Sequence, residues 1–240
     1  MHSPFVFDFI LNVLNNKSDY KAPTEIEQAR NRLLRDKSII EIQEIGAGSR
    51  SSSAKQRTVS EIAHAALKSK RFAQLLFRLV KHYQPLNIVE LGTSLGITTS
   101  YLSKANPSAT VVTIEGNRQT ADIAKNNFGK LNCKNIQLLP GNFDSLLPSV
   151  LSRQTSIDLA YIDGNHRYQP TINYFHQFLS KSHNQTILVF DDIHWSAEME
   201  KAWEEIKSHP FVQYTIDIFF LGFVFFRPDF KVKQNFSIRF

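Results

Sequence analysis

Cysteine is nearly missing from this chain: 240 residues contain one, Cys133. No internal disulfide can form, and a reducing compartment is expected. No stretch reaches the roughly 18 to 20 apolar residues of a membrane span. The opening Met1-His2-Ser3-Pro4-Phe5-Val6-Phe7-Asp8 lacks the basic start and long apolar run of a secretory signal. A soluble, cytoplasmic protein with no membrane partner is therefore expected. Internal repeats are lacking, and low complexity is confined to one Ser-rich stretch, which leaves solenoids and disordered tracts aside. What remains is 42% hydrophobic and 21% charged, in the range of one large α/β domain with its own core.

The charge is unevenly placed. Residues 1–84 hold 14 Lys and Arg against 8 Asp and Glu, while 85–240 hold 14 against 14, so the net +6 lies wholly in the first part. A basic N-terminal extension attracts nucleic acid or an acidic substrate, or it is simply the solvated faces of amphipathic helices. No aromatic-rich RNA motif accompanies these charges.

The chain is organised around 88–102. The apolar run Ile88-Val89 and Leu91 follows the breaker Pro85, stops at Gly92, and passes after Gly96 into a segment with helical spacing. Such a strand, loop and helix presents free backbone N–H groups and a positive dipole end to a ligand at the sheet edge. The loop reads Gly92-Thr93-Ser94-Leu95-Gly96, without the middle glycine of a dinucleotide fingerprint, and Glu90 near the strand end is unwelcome beside a diphosphate. A cationic cofactor with an amino group and no phosphate, such as S-adenosylmethionine, suits that acid better.

Before this loop the spacing predicts a helix over 4–15 with Phe5, Phe9 and Val13 on one side, packed on the domain or on a second copy in a homodimer. A capping-box pattern at Thr24-Glu25-Ile26-Glu27 opens a second helix to about residue 40, and a third covers about 58–83. The basic loop 46–57 between them is a linker or a lid that orders over ligand. After the loop, apolar runs at 111–114, 136–139, 157–162 and 186–190 alternate with helical segments, which gives a parallel sheet with helices on both faces. The end differs: strands 212–220 and 223–227 are joined by Leu221-Gly222 with no room for a crossover helix, so they must be antiparallel. The expected fold is α/β, a doubly wound, mostly parallel, seven-stranded sheet with an antiparallel C-terminal pair. It follows a helical extension over 1–84 and occupies 85–240.

Polar or acidic residues stand at the end of each of the first five strands: Glu90, Glu115, Asn142 with Asp144, Asp163, and Asp191 with Asp192. Glu115, 25 positions after Glu90, sits where an acid accepts both hydroxyls of a ribose. Asn142 and Phe143 could frame an adenine or form an ordinary turn. Strands four and five should be neighbours, so Asp163, Asp191 and Asp192 would crowd one another and push a carboxyl pKa upward unless a cation intervenes. Hard oxygen ligands favour Mg2+, with Mn2+ or Ca2+ as alternatives. Alternatively Asp192 caps the next helix, or a lysine neutralises the group. His166 and His194 follow these acids, and an imidazole has the right range to take a hydroxyl proton. His194 reads more as support than as base.

Taken together, Val89-Glu90-Leu91-Gly92-Thr93-Ser94-Leu95-Gly96, Thr113-Ile114-Glu115, Gly141-Asn142-Phe143-Asp144, Tyr161-Ile162-Asp163 and Phe190-Asp191-Asp192 resemble the class I S-adenosylmethionine-dependent methyltransferases. Within these they resemble the metal-dependent O-methyltransferases of the catechol and caffeoyl-CoA type. The resemblance spans about 86–227. It implies a Rossmann-like fold in which Glu90, Gly92, Thr93, Ser94, Gly96 and Thr98 surround the methionine part of the cofactor, Glu115 holds the ribose, and Asn142 and Phe143 flank the adenine, with Asp163 nearby. Asp163, Asp191 and Asp192 fall at the family's metal positions, although the last is commonly asparagine there. His166 stands where the catechol enzyme has a catalytic lysine.

The expected reaction is methyl transfer to the hydroxyl of a small molecule held on a divalent cation, with His166 as base and Asp163 beside it. Two other readings stay open. One is a metal-independent N- or RNA methyltransferase that uses the basic extension. The other is a non-catalytic assembly module.

Overall fold

The computed structural model describes residues 3–16, 18, 21–42, 56–228 and 232–240. In chain order its elements are α1 (Pro4–Phe9), a π-helical turn (Ile10–Leu14), α2 (Lys21–Leu33), β1 (Ile39–Glu41), β2 (Gln56–Thr58), α3 (Val59–Ala66), α4 (Lys70–Tyr83), β3 (Asn87–Leu91), α5 (Ile97–Ala105), β4 (Thr110–Glu115), α6 (Arg118–Lys130), β5 (Ile136–Pro140), α7 (Phe143–Ser152), β6 (Ile157–Ile162), α8 (Tyr168–Leu179), β7 (Ser182–Asp191), α9 (Ala197–Ser208), β8 (Tyr214–Asp217), β9 (Leu221–Phe225) and β10 (Gln234–Ser237). Two compact units share these elements. Of the described residues, the first comprises those of 3–42, 56–86 and 93–140, and the second those of 87–92 and 141–240. Among the described residues, no helix is long and apolar enough to cross a membrane.

In the first unit, α1 starts with Pro4 behind Ser3, whose hydroxyl accepts the Val6 N–H, a favoured helix opening. Val6, Phe9 and Val13 are fully buried, and the Arg78 Nε from α4 closes the following turn on the Val13 carbonyl at 2.7 Å. Helix α2 ends at Leu33, short of the expected residue 40. The Asp36 carboxylate accepts the Ser38 N–H at 2.8 Å, which competes with helix continuation, and Ile40 then pairs with Arg57 in the antiparallel β1–β2 ribbon. The capping box belongs to α3 rather than to Thr24: Thr58 Oγ1 takes the Glu61 N–H while the Glu61 carboxylate takes the Thr58 N–H. The single helix expected over 58–83 is two, because Leu67 is extended. The break is held by Arg30, whose Nη1 donates to the Lys68 carbonyl at 2.7 Å. Residues 46–55 of the expected linker or lid lie outside the described residues; Gln56 and Arg57 belong to β2. Strands β4 and β5 pair in parallel.

In the second unit the strand order is β10-β8-β9-β7-β6-β3. Strands β3, β6 and β7 are parallel, and β9 runs antiparallel to both β7 and β8. The expected five parallel strands and closing antiparallel pair are thus present over the two units. An eighth strand, β10, adds in parallel to β8 and carries no apolar run that would announce it. The β8–β9 turn falls at Ile218–Phe220 rather than at Leu221-Gly222. There Phe219 takes φ +74° and its N–H donates to the Asp217 carboxylate at 2.8 Å.

Gly222 sits inside β9 for another reason. A Cβ there would meet three indole atoms of buried Trp203 at 2.7 to 2.9 Å. Gly92 is tighter still. The Asp163 N–H extends the β3–β6 ladder to the Leu91 carbonyl at 2.9 Å, and a Cβ on Gly92, at φ +102°, would stand 1.9 Å from the Asp163 carbonyl oxygen. Gly222→Ala should therefore cost about 1–3 kcal/mol, because only a ring must yield. Gly92→Ala should cost more, because backbone must move and φ is unsuitable. Urea unfolding midpoints at constant m-value test this order, and equal costs would contradict it.

Candidate active site

The first unit contains the downstream half of the glycine loop and Glu115. Gly96 caps α5 at φ +80°, with Phe128 ring atoms 2.6 and 2.9 Å from where a Cβ would be. Both the dihedral and the space demand glycine. Thr93 is buried and its Oγ1 lies 2.6 Å from Thr113 Oγ1. The Glu115 carboxylate is held between two backbone donors, Ser94 N–H at 2.8 Å and Asn117 N–H at 2.9 Å. It thereby fixes the loop, and its remaining lone pairs can still accept ligand hydroxyls. Ser94 takes φ +48°, and its buried Oγ finds no hydrogen-bond partner among the described residues. Thr98 is buried in the first turn of α5.

The second unit contains Glu90, Gly92, Asn142, Phe143 and all the late acids. Glu90 is fully buried, a costly place for a carboxylate unless a positive group answers it. Asn142 caps α7, its Oδ1 accepting the Asp144 N–H at 2.7 Å. The half-buried Phe143 ring covers Gly164, where a Cβ would be 2.6 Å away. Tyr174 lies edge-on to Phe143 at 6.2 Å and donates its hydroxyl to Asp144 at 2.7 Å.

Asp163 and Asp191 do come together, but on a side chain that sequence reasoning passed over. The buried Tyr161 hydroxyl is 2.7 Å from Asp191 Oδ2 and 3.0 Å from Asp163 Oδ2. Period-2 alternation could have found it, since Tyr161 and Asp163 lie on the same face of the strand. Asp191 is 1% exposed and its second oxygen accepts the Asp192 N–H at 2.9 Å. Asp192, at φ +53°, also directs that N–H to the Phe220 carbonyl at 2.7 Å. It does not cap α9; Ser196 does, accepting the Met199 N–H. Among the described residues no three His, Cys, Asp or Glu side chains form a group that could hold a metal ion. Asp163 Oδ2 and Asp191 Oδ2 instead both face the Tyr161 hydroxyl.

His166 Nε2 stands 3.6 Å from Asp163 Oδ1. Burial pulls its pKa down, but the Asp163 contact and the charges of Asp163, Asp191 and Asp192 outweigh burial and hold it above the usual imidazole value. His194 is engaged elsewhere. Its Nε2 is 2.8 Å from Asp217 Oδ2, which also accepts the Trp203 indole N–H at 3.2 Å, and Phe219 stacks on its ring at 5.4 Å. It thus packs against the β8–β9 turn.

Comparison with known proteins agrees with this geometry. Residues 89–193 match a family described as a methyltransferase domain. The chain is similar to the catechol O-methyltransferase of Niastella koreensis, 28% identical over 146 residues, which are 60% of this chain and 62% of that protein. The match thus spans somewhat under two thirds of the relative's length. Among solved structures, the O-methyltransferase from Bacillus cereus in complex with S-adenosylhomocysteine is 19% identical with a TM-score of 0.62, over 92% of this chain and 97% of that one. TomG, the O-methyltransferase from Streptomyces achromogenes in complex with S-adenosylmethionine, is 18% identical with a TM-score of 0.63, over 93% and 95%. At these identities the likeness to solved structures is one of fold. Residues 89–193 are thus similar to a methyltransferase domain, in a chain whose fold is that of the solved O-methyltransferases.

Proposed function

We propose that the protein transfers the methyl group of S-adenosylmethionine to a hydroxyl of a small molecule, and that it does so without a bound divalent cation. The cofactor part rests on the domain match over 89–193 and on relatives of the same fold that hold S-adenosylmethionine or its product. The residues suit that ligand. Gly92 and Gly96 let the loop pack closely on its own unit, and the buried Ser94 Oγ has a hydrogen bond to give. In this reading Glu90, Gly92, Thr93, Ser94, Gly96 and Thr98 hold the methionine part, Glu115 the ribose, and Asn142 and Phe143 the adenine. When bound, S-adenosylmethionine supplies an electrophilic methyl group on a sulfonium.

The observation that carries the hydroxyl-directed chemistry is the pairing of His166 with Asp163 at the end of β6. Asp163 orients the imidazole and stabilises its protonated form, so His166 can take the acceptor hydroxyl's proton and keep it. The metal-dependent form of this chemistry has no support in the donor set, since Asp163 and Asp191 are already joined by Tyr161.

His166→Asn should lower kcat by about 10²- to 10⁴-fold while leaving the KM for S-adenosylmethionine unchanged; a loss below about threefold would remove the base from the scheme. Because the His166 pKa is raised, its base form is depleted at neutral pH and gains population as pH rises. The rate should therefore climb with pH through a midpoint above the ordinary 6.5, and the climb should disappear in the variant. Radiolabelled methyl transfer should be the same in EDTA as in Mg2+. Activity lost to EDTA and restored by Mg2+ would end the metal-free version while sparing the methyltransferase itself.

A further inference from the structure

We infer that Tyr161 is the residue that keeps divalent cations out of the acid cluster, its hydroxyl proton linking Asp163 and Asp191 where a metal ion would otherwise do so. The linkage follows from geometry. The hydroxyl lies 2.7 Å from Asp191 Oδ2 and 3.0 Å from Asp163 Oδ2. A phenol has one proton, so it donates chiefly along the shorter contact and shares the proton with, or accepts one from, the carboxyl at the longer one. In either case an oxygen from each acid points at a proton.

Two further features keep the arrangement from opening to a cation. Tyr161 is fully buried, and its strand is flanked in register by Glu90 of β3 and Val189 of β7. The ring has no room to swing away. Asp191 is buried too, and its second oxygen is taken by the Asp192 N–H. Mg2+ and Mn2+ favour near-octahedral oxygen shells that include several waters. Asp191 keeps lone pairs, but it is 1% exposed, and a cation bound there would have to bring its waters into a closed interior.

The inference stands on the acid cluster alone and does not require methyl transfer to be the reaction. Its test is direct metal binding, read by Mn2+ electron paramagnetic resonance on the full chain. The native protein should show no Asp163-dependent Mn2+ at about 1 mM. Tyr161→Phe, which removes the hydroxyl and keeps the ring, should bind Mn2+ at least about tenfold more tightly, and Asp163→Asn in that background should abolish the gain. Native binding as tight as the variant's would overturn the inference, and so would a variant that binds no better than the native chain. Should Tyr161→Phe fail to fold, native crystals soaked in MnCl2 decide the matter. An unchanged Tyr161 bridge without anomalous density upholds it; a peak between Asp163 and Asp191 refutes it.

Discussion

The second unit depends on a place where two strands meet with no side chain between them. At the tips of β3 and β6 the Leu91 carbonyl takes the Asp163 N–H, and the missing Cβ of Gly92 leaves the Asp163 carbonyl its space. Any other residue at 92 would push the β6 tip away. Because the tip is fixed, so are the side chains counted from it. Tyr161, two residues earlier on the same face, reaches Asp163 and Asp191, and His166, three residues later, comes back to Asp163. One backbone contact thus determines where a buried phenol, two carboxylates and an imidazole stand.

What those groups do follows from counting protons and charges. Two carboxylates near each other need a proton, a cation or a distant placement. Here they share the Tyr161 proton, and the residual negative charge falls on His166, raising its pKa. The result is an imidazole beside Asp163, next to an acid pair linked through the Tyr161 hydroxyl. In the first unit Glu115 has a comparable double task, since its carboxylate organises the glycine loop through the Ser94 and Asn117 amides before any ligand is considered.

Much of this was legible in the residues. The strand, glycine loop and helix at 88–102, the alternation that follows, the acids at strand ends and the antiparallel closure all depend on local periodicity and turn chemistry, which a sequence displays directly. What escaped was set by partners far along the chain. The break between α3 and α4 is held by Arg30, 38 residues away. The early end of α2 depends on an Asp36 turn feeding a strand whose mate begins at Gln56. Gly222 looked like a turn residue and is instead a seat for the Trp203 indole, while the turn falls on Phe219, a residue type that gives no turn signal. Tyr161 was visible as part of a motif, and strand alternation put it on the face of Asp163, but an apolar-looking strand position does not announce that its hydroxyl meets both acids.

The central claim is that this fold binds S-adenosylmethionine and that metal is not needed for it to do so. Calorimetric titration of the intact chain with S-adenosylhomocysteine measures this most directly. The account predicts saturable binding near one molecule per chain, with the same affinity in EDTA and in Mg2+. Absence of binding, or binding that appears only with Mg2+, would contradict it.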